Sequence, residues 1–191
     1  MGSFASGFLL FGIALIYGAT GSFDLMAIRS FISHSQGDLP AFFYAGVLMV
    51  LVAMLFKVSA APFHFWAPDV YEGSPTVITA LMSTIVKTAA FAALVVFGGV
   101  NESWSMVLAV VIALSLVVSN ITAATQQSVK RMLAYSSISH AAFMLMAILA
   151  NQRGMASVSA ILYYSLAYSV GSIAAFTVLY NVSKAKDNAN I

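Results

Sequence analysis

Residues 51–94 read LVAMLFKVSAAPFHFWAPDVYEGSPTVITALMSTIVKTAAFAAL. Lys57 and Lys87 both stand in a stretch that otherwise belongs in hydrocarbon. The apolar run 76–98 is long enough, at 1.5 Å per helical residue, to cross a bilayer core of about 30 Å. Lys87 is near its middle. A lysine that deep costs about 2.5–3.5 kcal/mol on an insertion scale, and snorkelling reaches a surface only from the outer turns. Lys87 is therefore expected to face protein or water. Thr76, Thr79, Ser83 and Lys87 recur every three or four residues, which is one polar stripe on an apolar helix. The bland alternative, an anchor at a helix end, fits that depth poorly.

Lys57 is less decided by position. Counting from Pro40, a residue suited to a helix start, a helix reaches Lys57 after about 24 Å, so an interfacial anchor followed by a Trp–His loop is one reading. The other rests on VSAAPFHFWAPDV, which stays apolar and aromatic beyond it. Pro62 and Pro68 bar a regular continuous helix there, so 41–73 is too long for one straight crossing and reads as a broken membrane helix. Broken helices persist only where protein or a water-filled cavity satisfies the freed backbone groups, and their ends are common ion sites in transporters.

Outward from this stretch the whole chain is of one kind. With 61% apolar and 7% charged residues and a mean hydropathy of +0.96, its charge content is far below the roughly 25% of soluble domains. An integral membrane protein is expected, with six crossings at 2–20, 41–61 continuing broken to 73, 76–98, 104–126, 131–150 and 155–182. The fold class is all-α, a polytopic helix bundle with one discontinuous helix. The connections are short, and in the longest, 21–40, Asp24 to Phe31 could form a surface helix with Leu25, Ile28 and Phe31 inward. Lys130, Arg131, Lys184 and Lys186 fall on one side and Arg29 and Arg153 on the other, so the first side is expected to be cytoplasmic. The net charge of +2 gives no reason to expect nucleic acid, and the absence of Cys excludes thiolate metal sites and iron–sulfur clusters on this chain. No signal peptide is visible.

Other polar residues at depth are softer signals. His140 lies centrally in 131–150, one turn after Ser136, and suits either an interhelical hydrogen bond or a proton relay. Ser115, Ser119, Thr122 and Gln126 form one stripe and Tyr164, Tyr168 and Ser172 another; such stripes are packing seams more often than conduits. His64, Asp69 and Glu72 lack a second nearby histidine, and the carboxylates suit a helix boundary with Ser74 and Pro75 better than a metal.

The wording FKVSAAPFHFWAPDVYEGSPT (56–76), then STIVKTAAFAAL (83–94) and QQSVKRMLAYSSISHAAFML (126–145), resembles the proton-translocating antiporter-like membrane subunits of respiratory complex I, the NADH:quinone oxidoreductases, and within them the subunit N branch. Subunits L and M, the related cation/proton antiporters and the membrane-bound hydrogenases usually carry PLH.WLPDA variants at the first block. The resemblance runs from Gly2 to about Asn181. It implies part of an inverted-repeat module that moves protons along a lysine-lined hydrophilic axis coupled to quinone reduction. Lys57 would be the lysine of the discontinuous helix, Lys87 that of the next helix, and His140 a station toward the second half of the axis.

The resemblance also implies what lies elsewhere. Other membrane-arm subunits and lipid are the expected partners, NADH and quinone belong to other subunits, and no cofactor is expected on this chain. The location implied is the cell's inner (plasma) membrane, or an organelle inner membrane in a eukaryote. The family's glutamate partner for the first lysine and its exit lysine do not occur in this sequence, which is expected to be an internal fragment. A secondary cation/proton antiporter subunit and a non-pumping structural or assembly piece are the alternatives. Direct proton handover between the lysines would require a separation of about one Debye length, roughly 8–10 Å, or a connection through Thr79 and Ser83.

Overall fold

The computed structural model describes residues 2–35, 39–98, 105–150 and 156–189. Asp38, Arg153 and the loops GGVNES and NQRG lie wholly or largely outside them. Among the described residues the structure is helical: α1 (Gly2–Thr20), α2 (Leu25–His34), α3 (Ala41–Val58), α4 (Trp66–Gly73), α5 (Thr76–Leu81), a π-helical turn (Met82–Val86), α6 (Lys87–Gly98), α7 (Ser105–Ala124), α8 (Val129–Ala150) and α9 (Ala156–Ala189). Six spans are long and apolar enough to cross a membrane, with α5, the π turn and α6 forming one of them over Thr76–Phe97.

Helix α2 is the surface helix read from the sequence, extended to His34. Asp24 caps it, its Oδ1 accepting from the Met26 amide at 3.1 Å. Ile28 is buried, with Leu25 and Phe31 packed beside it. Arg29 donates to the Val96 carbonyl at 3.3 Å, tying α2 to the end of α6.

Helices α1 and α3 cross on two glycines. A Cβ at Gly12 would lie 2.8 Å from the Gly46 carbonyl oxygen, and one at Gly46 would lie 2.8 Å from that of Gly12. Small residues allow this approach, the usual basis of helix association where lipid is as apolar as the side chains. The pattern reading made no use of either glycine.

The long second crossing is broken, although the helix stops at Val58 and not at 61. Ser59 adopts the left-handed conformation (φ 62°, ψ 39°). Its amide bonds the Phe56 carbonyl at 3.1 Å and the Ala60 amide bonds that of Leu55 at 2.9 Å, a Schellman-type ending. Trp66 covers the same end, its indole N–H donating to the Phe56 carbonyl at 2.9 Å and its ring stacking on Phe56. The regular structure resumes at Trp66. Pro68 is accommodated as the third residue of α4, where its missing N–H is one of those that have no intrahelical partner anyway.

The break lies at membrane depth. Ser59, Ala60 and Ala61 are fully buried, and the Ala61 amide donates to Ser115 Oγ at 2.8 Å, near the middle of the α7 span. Protein thus satisfies the freed backbone, as hydrocarbon could not. Around this point Leu55, Val58, Ala60, Phe91, Ile112 and Met144 form the main core cluster.

Candidate functional site

Lys87 opens α6 immediately after the π turn. At 2% exposed it is the buried cation among the described residues. Its Nζ donates to the Ser137 carbonyl at 2.7 Å and also bonds Ser137 Oγ. The ion pairs among the described residues are those of Arg131, so no carboxylate neutralises Lys87 there. The expected stripe is an interior face, with Thr76, Thr79, Ser83 and Lys87 all buried. The π turn carries Ser83 and Thr84, whose hydroxyls both bond the Ala80 carbonyl at 2.9 and 2.8 Å, re-satisfying backbone loosened by the wider turn.

Ser137 is the junction of the site. Tyr71 of α4 places its hydroxyl 3.4 Å from Ser137 Oγ, and Tyr168 of α9 lines one cavity with Ser137 and Ser172. A cavity of about 360 Å³ opens beside it between α8 and α9, lined in part by Ser136, Ser137, His140, Tyr164, Tyr168 and Ser172. It is roomy and polar enough to hold water. His140 is half-buried on its wall, with Nδ1 2.7 Å from the Tyr164 hydroxyl and its ring 4.8 Å from that of Tyr168. Lys87 and His140 are thus linked through Ser137, which bonds the first and lines the cavity with the second.

Lys57 is outside that linkage. It is exposed in the last turn of α3, where a cation suits the helix C-terminus, and it lines a second cavity of about 430 Å³ with Ser6, Met54, Trp66, Val70 and Val86. Val86 faces this cavity while its neighbour Lys87 reaches α8. Thr79 and Ser83 do not connect the lysines as the sequence allowed, because Thr79 Oγ1 bonds the Tyr71 and Pro75 carbonyls and Ser83 Oγ the Ala80 carbonyl.

The stripe on α7 divides. Ser115 holds the helix break, Ser119 bonds Ser115 O at 2.5 Å and Ser139 Oγ at 2.6 Å, and Ser139 reaches Asn120 at 3.2 Å. This is a hydrogen-bonded seam between α7 and α8. Gln126 turns back to the Thr122 carbonyl at 2.9 Å. Asp69 and Glu72 are each 2.8 Å from Arg131, and the described residues hold no cluster of three metal-ligating side chains. His64 sits near Tyr135 instead. The pattern reading missed Tyr71 and Ser137. Ser137 stands three residues before His140, one helical turn away, the single signal that could have pointed to it.

A buried lysine at mid-span thus lies near a broken helix and a tyrosine–histidine cavity. The model of the family described as NADH:quinone oxidoreductase/Mrp antiporter, transmembrane, matches residues 1–191. The chain belongs to this family. Within it, the chain is 46% identical to NADH-quinone oxidoreductase subunit N of Flavobacterium johnsoniae over 100% of its own length and 43% of that protein. It is 47% identical to the subunit N of Chloroflexus aggregans, covering 99% of itself and 40% of that relative. The chain thus spans about two-fifths of these curated relatives.

Among solved structures of antiporter-like membrane subunits, one chain of respiratory complex I from Thermus thermophilus matches with a TM-score of 0.78 at 40% identity, covering 94% of this chain and 38% of that one. A chain of the Mrp complex from Dietzia matches with a TM-score of 0.82 at 22% identity, covering 94% and 33%. The latter likeness is one of fold.

Proposed function

We propose that this chain is the lysine-bearing part of an antiporter-like membrane-arm subunit of a proton-pumping NADH:quinone oxidoreductase, in the inner membrane of its cell. The observation that carries the proposal is Lys87, buried near the middle of a membrane span with no anionic partner among the described residues and bonded only to Ser137. A lysine removed from water readily exchanges its proton when hydration or a neighbouring charge changes. The cavity beside Ser137 supplies hydration, and His140 with Tyr164 supplies a second station. The 40% identity to a complex I chain, against 22% to an Mrp chain, supports complex I over a cation/proton antiporter.

Lys57 is the entry-side candidate, beside the break and open to its own cavity. It shares no hydrogen bond with Lys87, so transfer between them runs through water or groups other than Thr79 and Ser83. Redox chemistry, NADH and quinone belong to other subunits, and this chain needs no cofactor to carry a proton. The test is Lys87→Ala in the full-length subunit within the assembled complex. Protons pumped per NADH oxidised should fall sharply while quinone reduction shows the complex intact; an unchanged ratio sinks the proposal.

A further inference from the structure

We infer that Tyr71 is a positioning residue for Lys87, acting through Ser137, and that Arg131 holds the helix that carries it. The inference rests on the proposal that Lys87 carries protons. A serine hydroxyl has one proton to donate and two lone pairs. While Lys87 is an ammonium, Ser137 Oγ accepts from Nζ and turns its own proton to another oxygen. When Lys87 is a neutral amine, the serine proton turns to the nitrogen and Oγ needs a donor. A phenol meets both demands, accepting in the first state and donating in the second.

Tyr71 is suited to that task by its burial. It is 1% exposed, and its hydroxyl has Ser137 Oγ as its partner among the described residues. Tyr168, the other phenol near Ser137, borders the cavity, which Tyr71 does not. Tyr71 is therefore the dry and dedicated partner.

Its placement is held at several points, since α4 is an eight-residue helix following an irregular segment. Trp66 ties its start to Phe56, Thr79 Oγ1 bonds the Tyr71 carbonyl, and α8 supplies the charged contacts. Arg131 pairs with Asp69 and Glu72 at 2.8 Å each, and Lys130 donates to the Ser74 carbonyl at 3.0 Å. Arg131 and Ser137 share one helix, about 9 Å apart along its axis. The same rigid element thus holds the Lys87 partner and sets the register of the helix that supports it.

The experiment measures protons pumped per NADH against pH in the reconstituted complex with full-length subunit carrying Tyr71→Phe, Ser137→Ala, both, Arg131→Gln or Lys87→Ala. Ser137→Ala removes an acceptor of the ammonium and should move the alkaline limb of the profile down by about one pH unit, the size of one hydrogen bond to a charged group. Tyr71→Phe, which preserves ring packing, should displace it by about half as much, in the direction set by the state the phenol supports more strongly. In the Ser137→Ala background Tyr71→Phe should add nothing, and Arg131→Gln should shift the profile as Tyr71→Phe does. A wild-type profile for Tyr71→Phe, or an undiminished shift in the double variant, overturns this inference while leaving the proposed function standing if Lys87→Ala still abolishes pumping. Normal pumping by Lys87→Ala overturns both.

Discussion

Lys57 and Lys87 each stand beside a place where a membrane helix departs from regular hydrogen bonding, and the two departures are built differently. After Lys57 the helix ends: Ser59 turns left-handed, and Trp66 and Ser115 bind the freed backbone. Before Lys87 the helix only widens through Met82–Val86 and continues. Ending the helix leaves the lysine exposed in its last turn, whereas widening it keeps the lysine on an interior face against α8. The same side chain thus acquires an open cavity in one case and a fixed partner in the other.

The largest test of that contrast replaces each lysine with Met. Lys87→Met should abolish pumping through this subunit, yet leave thermal stability unchanged or raise it by about 1–2 kcal/mol, because removing a buried charge relieves its desolvation. Lys57→Met should shift stability by less than about 0.5 kcal/mol, as exposed positions do. A large stability loss on Lys87→Met would make that lysine a structural tie and erase the distinction.

Gly46→Leu attacks the Lys57 side alone. Its Cβ would meet the Gly12 carbonyl oxygen at 2.8 Å and the Leu15 Cβ at 2.9 Å, so α1 must move away, at a cost of roughly 3 kcal/mol. Thermal unfolding of the detergent-solubilised subunit should show the loss. An unchanged midpoint would mean that α1 does not pack on α3 as described.

The break offers two smaller effects of opposite sign. Ser115→Ala orphans the buried Ala61 amide and should destabilise by about 2 kcal/mol. Ser59→Gly removes both a left-handed Ser and a buried hydroxyl without a partner among the described residues, and should stabilise by about 1 kcal/mol. Destabilisation by Ser59→Gly would show that its hydroxyl is bonded in the native protein.

The smallest effect concerns the bracket on α4. Hydrogen bonds from Arg131, then Ser128, hold the exposed Glu72 carboxyl below its usual pKa. The pair therefore contributes above the unfolded value of about 4.3 and is lost as pH falls through the lower folded value. Amide exchange in α4 should quicken over that acid range and should lose this dependence in Arg131→Gln. The same pH dependence in the variant would assign it to another group.

Much of this was legible before folding. Hydropathy over twenty-residue windows locates spans because a membrane helix must satisfy its own backbone and show apolar side chains to lipid. The depth of Lys87 follows from counting. Pro62 within an overlong apolar stretch signals the break. Pro68 does not mark the break itself, because proline opposes a helix interior but not a first turn.

Composition and pattern therefore settle what is local: where the chain crosses, which polar residues lie deep, and that one crossing is interrupted. The tertiary structure alone decided which deep groups meet. Ser137 rather than Thr79 or Ser83 receives Lys87, Tyr71 stands behind Ser137, Arg131 brackets α4, and Lys57 opens on a different cavity. The reason is geometric. A helical repeat fixes which residues share a face, but the rotation of that face toward one neighbour or another depends on helix contacts and on the extra residue of a π turn, neither of which has a periodic signature.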